Sequence, residues 1–399
     1  MTVVAPVHVP VDASLSCRLA GRCGGCPWHG QSLAAQRDAK TASILALLGA
    51  LVEPSTLLHG MTTPSAYRFR QRLDLRLQDG RLGLLGLGDA EGQVVDMERC
   101  EVASDEVAQL LTELRADLPP VDKASIRLRA RGPLKGVWLD LPNVALKGLL
   151  DEGAWLSRRL AAGWVVELGT KGRAVVANPE VRLGEARLMP WSETVVDGQA
   201  VDLYTSVMGF TQPGAVPNAA LVDAVVRATD EAGDVDTVLE LGAGAGNLTL
   251  ALAGAGHRIV ALELEVGALQ RTRAEASTTH GATVARVSAR AGSFHREAEV
   301  PELLAAPVAG MKGVDALVCD PPRSGLGGFI DGTAGKGGGM KGLSPRLRPR
   351  HVIYVSCHPE ALAKDAARLA ALGYRLASLR GIDQFPWTPH AEWIARFSR

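Results

Sequence analysis

The chain has 399 residues, 47% hydrophobic and 22% charged, with 43 Lys and Arg against 43 Asp and Glu. That length allows two or three domains around a large core, and a net charge of +0 excludes a global field that would advertise a polyanion partner. No apolar run reaches the roughly 18 residues of a membrane span, and the opening MTVVAPVHVPVDASL has no basic n-region, so no membrane span and no secretory signal is expected and the expected compartment is the cytoplasm.

Residues 1–16 read as a loose, Pro-containing tail. Next come Cys17, Cys23 and Cys26 in a Gly-rich stretch, and a fourth thiol, Cys100, follows in DMERCEVA. In a reducing compartment these argue against disulfides and for metal, redox or catalytic use. Four thiolates suit a structural zinc or an iron–sulfur cluster; three close cysteines with one remote favour the cluster over paired zinc knuckles. Ser32 to Val52 reads as one helix, with apolar Leu33, Ile44, Leu45, Leu47 and Leu48 and a polar front half. From Tyr67 to about Leu203, short runs such as RQRLDLRL, ASIRLRARG, KGVWLDLP and GWVVELG are broken by Gly, Asp or Pro and predict a mostly antiparallel sheet.

From Pro217 onward strand and helix patterns alternate. The predicted strands DTVLELG, HRIVALEL, VDALVCD, HVIYVSC and AEWIARF argue for a doubly wound α/β domain. The first ends in Glu240-Leu-Gly242-Ala-Gly244-Ala-Gly246-Asn247, a glycine loop opening a helix, where backbone can approach a ligand closely. The next strand carries Glu263, a carboxylate placed to accept ribose hydroxyls. Cys319 lies inside an apolar strand and reads as a small core residue. Asp320-Pro-Pro-Arg323 ends that strand. Residues 324–345 then hold nine glycines, too many for a stable helix or strand, and predict a flexible loop. Cys357 follows another predicted strand at its junction with a helix. Glu392 stands 35 residues later in FPWTPHAE. A thiol with nearby carboxylates suggests nucleophile-and-base chemistry.

On these motifs, with Tyr67-Arg-Phe-Arg70, Phe210-Thr-Gln212, DPPRSGL, YVSCHPEALAKD and the terminal HAEW, the chain resembles the RNA uracil-C5 methyltransferases. They occur in the family's order over nearly the whole chain. The resemblance implies an α/β fold: a Rossmann-like class I methyltransferase domain (206–399), a central antiparallel β domain (57–205), and an N-terminal segment (1–56) of tail, cysteines and helix. It implies a 4Fe-4S cluster on Cys17, Cys23, Cys26 and Cys100, with zinc the alternative. It implies S-adenosylmethionine at Gln212, Gly242, Asn247, Glu263 and Asp320, Cys357 as nucleophile and Glu392 as proton acceptor. Asp320 has an alternative role in positioning the uracil or Cys357. Phe210 or Trp387 would stack on an unstacked base.

Cluster-type cysteines without the family's N-terminal TRAM barrel favour 23S rRNA as the RNA partner, with tRNA the alternative, and a monomer. Several positions depart from the family pattern. Gly214 stands where Asn is usual, although Asn218 follows. SCNP is here Ser356-Cys357-His358-Pro359, where His358 either tunes the thiol or replaces a polar cap. No acid follows the third strand, and the glycine-rich insertion is long. These departures motivate a non-catalytic RNA-binding relative as a competing reading. Lys336, Lys341, Arg346, Arg348 and Arg350 suggest that the insertion closes over the RNA backbone.

Overall fold

A computed structural model describes residues 15–169, 172–177, 181–293, 313–331, 339–342 and 348–399. Ser32 caps helix α1 (Leu33–Leu48), its Oγ accepting the Ala35 N–H at 3.2 Å, and a 3-10 turn follows within the expected span. Ile44 and Leu48 pack into the C-terminal core. Two polar residues of the helix's front half, Gln36 and Lys40, are almost wholly covered as well.

The strands in chain order begin with β1 (Leu57–Thr62), β2 (Arg72–Gln78), β3 (Arg81–Leu85), β4 (Val94–Asp96), β5 (Lys123–Arg131), β6 (Leu134–Asp140), β7 (Trp164–Leu168), β8 (Arg173–Ala177) and β9 (Val181–Glu185). Strands β2 to β9 form the central sheet, in the order β4-β3-β2-β5-β6-β7-β8-β9. Neighbours are antiparallel except β6 and β7. Helices α3 (Asn143–Glu152) and α4 (Ala154–Ala161) make that crossover, which a parallel pair requires. In β2 the period of two is plain: Leu73, Leu75 and Leu77 face the core below helix α2 (Asp105–Ala116), and Arg72, Asp74 and Arg76 face outward.

The cysteine-bearing segment docks on the end of β3. Gly24 N–H donates to the Leu85 carbonyl at 3.0 Å. A Cβ on Gly24 would stand 2.6 Å from that oxygen, and one on Gly25 would stand 2.8 Å from Leu84 Cδ1. The glycine pair between Cys23 and Cys26 is therefore what lets the segment lie against the sheet.

Strands β10 (Met189–Val196) and β11 (Gln199–Thr205) form a separate hairpin. Then follow helix α5 (Ala215–Asp230), β12 (Thr237–Leu241), α6 (Asn247–Gly254), β13 (Arg258–Glu263), α7 (Gly267–Ala276), α8 (Gly281–Val284), β14 (Val287–Ala291), β15 (Ala316–Cys319), α9 (Gly328–Asp331), β16 (His351–Ser356), α10 (Pro359–Ala371), β17 (Arg375–Ile382) and β18 (Glu392–Ser398). The second sheet runs β1-β17-β18-β16-β15-β12-β13-β14, with only β18 antiparallel to its neighbours. Strand order reverses between β12 and β15, the switch point where open α/β sheets bind ligands.

Several expectations need correction. Strand β1, assigned to the central domain, pairs in parallel with β17 in the C-terminal sheet. The β10–β11 hairpin is hydrogen-bonded into neither sheet: it packs on α5 and α6 and also meets the central sheet, where Arg131 of β5 pairs with Glu193 and Asp202. Short runs with little periodicity do not reveal which sheet they will join. The glycine-rich segment is not simply a loop: Leu326, Phe329, Ile330 and Met340 are fully buried in the C-terminal core. Asp365 on α10 anchors it, accepting the Leu326 N–H at 2.6 Å and the Tyr354 hydroxyl at 2.8 Å.

Of the basic residues expected to close over RNA, Arg348 and Arg350 do not flank the site. Arg350 adjoins the N-terminal end of β16 and pairs with Asp315, and Arg348 donates to the Met340 and Lys341 carbonyls; Cys357 lies at the other end of that strand. Lys336 and Arg346 lie outside the described residues. Among the described residues no helix is long and apolar enough to cross a membrane.

Candidate active site

At the switch point lies a cavity of about 480 Å³, lined by Gln212, Gly242, Asn247, Glu263 and Asp320 among others. The structure thus brings together every residue the sequence suggested for the cofactor. Gly242, Gly244 and Gly246 have φ of 73°, 56° and 95°, a region open to glycine but costly for other residues. A Cβ on Gly246 would also approach Leu269 Cδ1 to 2.9 Å. Glu263 closes the loop from the next strand: its Oε2 accepts the Gly244 N–H at 2.8 Å and its Oε1 the Glu265 N–H at 3.1 Å. A carboxylate has about four acceptor positions, so capacity for two hydroxyls remains. The end of β14 carries Gly292 and Ser293 where an acid is usual.

Asn218 and Asn247 exchange reciprocal amide hydrogen bonds at 2.8 Å, and Asn218 also donates to the Glu193 carbonyl. Asn218, in the first turn of α5, thereby fixes Asn247 from across the cavity. The extended backbone of Gly214 explains the missing asparagine: a Cβ there would stand 2.0 Å from the Phe69 carbonyl oxygen. Gly214→Asn is expected to destabilise the fold by roughly 1–3 kcal/mol, read as a lower urea midpoint; an unchanged midpoint would mean that this backbone contact yields freely.

Glu240 is fully buried below the loop, where its Oε2 accepts the Thr249 hydroxyl at 2.6 Å. Burial pushes its carboxyl up to about 7, against the Thr249 bond, with Asp320 and Glu263 adding to the rise. The folded protein thus holds this proton to higher pH than the unfolded chain. The group's contribution to stability is full below about pH 4.5 and is lost as pH rises through about 7, by on the order of 3 kcal/mol at most. Urea titrations of wild type against Glu240→Gln at about pH 5 and 8 should show the wild type alone losing that increment; parallel slopes would refute it.

The pairing of β16 with β18 builds the second half of the site. Ser356 lies opposite Trp393, so the antiparallel register carries Cys357, one residue on, to Glu392. Cys357 is half-buried and Glu392 is buried, with Oε2 making no hydrogen bond among the described residues. Desolvation, then Glu392 and Asp320, push the thiol up to about 11; Arg323, which hydrogen-bonds it, acts in the other direction. Desolvation pushes Asp320 up to about 7, and desolvation with the nearby Asp320 holds Glu392 well above the usual carboxylate range. Gln212 Nε2 reaches Asp320 Oδ2 at 3.4 Å, which links the two halves of the site.

His358 is a cap. It precedes α10 and its Nδ1 accepts the Ala361 N–H at 3.2 Å, which puts the ring proton on Nε2. Asparagine would do the same work at this N-cap. Trp387 is fully buried and cannot stack on a base, whereas Phe210 is 70% exposed and lines the cofactor cavity. Arg323 was visible in DPPR but had no role in the reading of the sequence; its contact with the thiol depends on the chain bend after Asp320.

The four N-terminal thiols also share a cavity. Cys17, Cys23, Cys26 and Cys100 line one cavity of about 50 Å³ with Leu15, Leu19, Leu73, Leu84 and Met97. Gly25 N–H points at Cys23 Sγ at 3.5 Å. Burial and the other cysteines push the Cys26 thiol up to about 12. Among the described residues, no three His, Cys, Asp or Glu side chains stand close enough together to hold a metal ion.

Residues 192–396 match the sequence profile of the tRNA (uracil-5-)-methyltransferases. An RNA methyltransferase of Bdellovibrio bacteriovorus, itself uncharacterized, is 33% identical over 395 residues, 97% of this chain and 96% of the relative. The chain belongs to the RNA uracil-C5 methyltransferase family. A 23S rRNA (uracil(1939)-C(5))-methyltransferase, RlmD of Edwardsiella ictaluri, is 29% identical over 98% of this chain and 83% of its own length. The fold is that of the tRNA (uracil-54, C5)-methyltransferase of Pyrococcus abyssi, solved with S-adenosyl-L-homocysteine, at a TM-score of 0.62 and 20% identity over 94% of this chain and 86% of that one. As a member of this family the protein is an RNA uracil-C5 methyltransferase.

Proposed function

We propose that the protein methylates C5 of a uridine in 23S rRNA through a covalent adduct with Cys357. The observation that carries this is the strand register that sets Cys357 beside Glu392, next to the cofactor cavity. Uracil C5 is too weak a nucleophile to attack a sulfonium methyl unaided. The Cys357 thiolate forms a bond to C6, and the C5–C6 π electrons move into the C4 carbonyl to give an enolate. C5 then takes the methyl group as the methyl–sulfonium bond breaks. Glu392 accepts the C5 proton, the C5–C6 double bond re-forms and the thiolate leaves.

Gln212, Gly242, Asn247, Glu263 and Asp320 would hold S-adenosylmethionine. Asp320 lines the cavity and is near enough to Cys357 to influence it, so it would stand between cofactor and thiol, and the exposed ring of Phe210 on the same cavity would meet the extruded base. The RlmD relatives aligned over nearly the whole chain support 23S rRNA as the substrate. Cys17, Cys23, Cys26 and Cys100 would hold a 4Fe-4S cluster, which fastens the N-terminal segment to the central sheet. What supports this reading is that the four thiols line one cavity beside the central sheet.

Incubation of the purified protein with S-adenosylmethionine and either 23S rRNA or tRNA tests the substrate. 5-Methyluridine is expected in the 23S rRNA; its appearance in tRNA alone would reassign the enzyme. Iron and sulfide assays on protein purified without oxygen test the cluster, and stoichiometric zinc with no iron would replace it.

A further inference from the structure

The loop from Asp383 to Ala391 joins β17 to Glu392, and the N-terminal segment holds it from behind. Lys40 on α1 donates to Asp383 Oδ1 at 2.8 Å and to the Phe385 carbonyl at 3.3 Å, and both ionic groups are buried. Gln36, one turn earlier, accepts the Trp387 backbone N–H on Oε1 at 2.7 Å. Trp28, two residues beyond Cys26, donates its N–H to the Trp387 carbonyl at 2.9 Å. Both backbone polar groups of Trp387 are therefore taken by α1 and the cysteine-bearing turn. Its indole N–H goes to the Ala66 carbonyl at 3.0 Å, and its ring shares a cluster with Leu15, Leu33 and Phe69 that packs against Cys17, Cys26 and Cys100.

This loop is held away from its local preference. Trp387 has φ 71°, a left-handed conformation that a bulky residue rarely adopts. Gln384 is fully buried, and neither atom of its amide has a partner among the described residues. Such a conformation persists only where the surroundings over-determine it, and such segments cluster at active sites. Past Trp387 the chain turns on Thr388, whose hydroxyl donates to the Phe385 carbonyl at 2.7 Å and accepts the His390 N–H at 3.2 Å. Two residues later stands Glu392.

We infer that Trp387 is a positioning residue, that Gln36 and Trp28 act through it and Lys40 through Asp383 and Phe385 of the same loop to set Glu392 against the adduct, and that the N-terminal segment thereby governs the proton-removal step. This rests on Glu392 being the proton acceptor. Attack by the thiol and methyl transfer both precede that step. A loosened loop leaves them running and delays only the loss of the C5 proton and the breaking of the S–C6 bond. The adduct that accumulates is already methylated.

The test is Gln36→Met, which keeps side-chain length and removes the acceptor. On a uridine-containing rRNA fragment that the wild type methylates, the denaturant-resistant RNA–protein adduct should rise several-fold and carry the methyl group. Hydrogen exchange should quicken at residues 388–392 and stay unchanged in β12 and β13. Gln36→Glu, which keeps an acceptor for the Trp387 N–H but loses the Nε2 donation to the Gln31 carbonyl, should bring the partition back toward that of the wild type. Activity lost only in proportion to folded protein, with no rise in adduct and unchanged exchange at 388–392, would overturn the inference. Should Gln36→Met fail to fold, Trp387→Phe, which keeps a ring but loses the bond to Ala66, is read by the same two measurements. Glu392→Gln is the control: if it traps no adduct, the proton acceptor lies elsewhere, and the exchange data still decide whether the N-terminal segment positions the loop.

Discussion

Cys357→Ala is expected to lower 5-methyluridine formation by roughly 10³-fold or more, with S-adenosylmethionine affinity changed by less than about twofold in calorimetry. The asymmetry follows from the site. Cys357 sits past the end of β16, across from Glu392, and does not line the cofactor cavity. Removing it deletes the bond to C6 without touching the glycine loop or Glu263. Retention of full activity would sink the covalent mechanism. The wild-type pH profile gives a second check. With the thiol pushed up to about 11, the thiolate is a small minority near neutrality. Single-turnover adduct formation should then rise by up to about tenfold per pH unit between about pH 7 and 9. A flat profile would mean that substrate binding has already taken the proton.

Glu392→Gln should slow turnover by roughly 10²–10⁴-fold and leave a covalent protein–RNA species that survives denaturing electrophoresis. The amide has nearly the shape of the acid but cannot take the C5 proton, so the reaction stops after methyl transfer. Glu392 is buried with Oε2 unbonded, so the substitution leaves no protein donor without its acceptor on that side. The fold should therefore survive, and loss of activity through unfolding would show as a lowered melting temperature. Turnover at the wild-type rate would remove Glu392 from the mechanism. The two variants fail at opposite ends of one sequence, since Cys357→Ala makes no adduct and Glu392→Gln makes one that persists.

Much of this architecture was legible before any coordinates. Fully buried parallel strands read as continuous apolar runs, so β12, β13, β15 and β16 stood out, as did the acid–glycine loop between β12 and α6. Strands β1, β14 and β17 did not, because their residues mix charge and glycine with apolar positions and carry no clean period. Helices α3 and α4 were missed for a related reason: their short apolar stretches resemble the strands around them until the parallel pairing of β6 with β7 requires a crossover.

The identities of the reactive groups belong to the sequence. A thiol after a strand, a late carboxylate, a glycine loop with its acid and four spaced cysteines are local features, and local features survive without a fold. What the tertiary structure decided is how they meet. The antiparallel insertion of β18 beside β16 sets Glu392 against a thiol 35 residues away in the chain. Only packing reveals that His358 caps a helix, that Gly214 makes room for the Phe69 carbonyl, and that polar Gln36 and Lys40 are buried to hold the loop before Glu392. The physical reason is common to all of these. Sequence spacing records neighbours along the chain, whereas desolvation, register and close approach depend on neighbours in space.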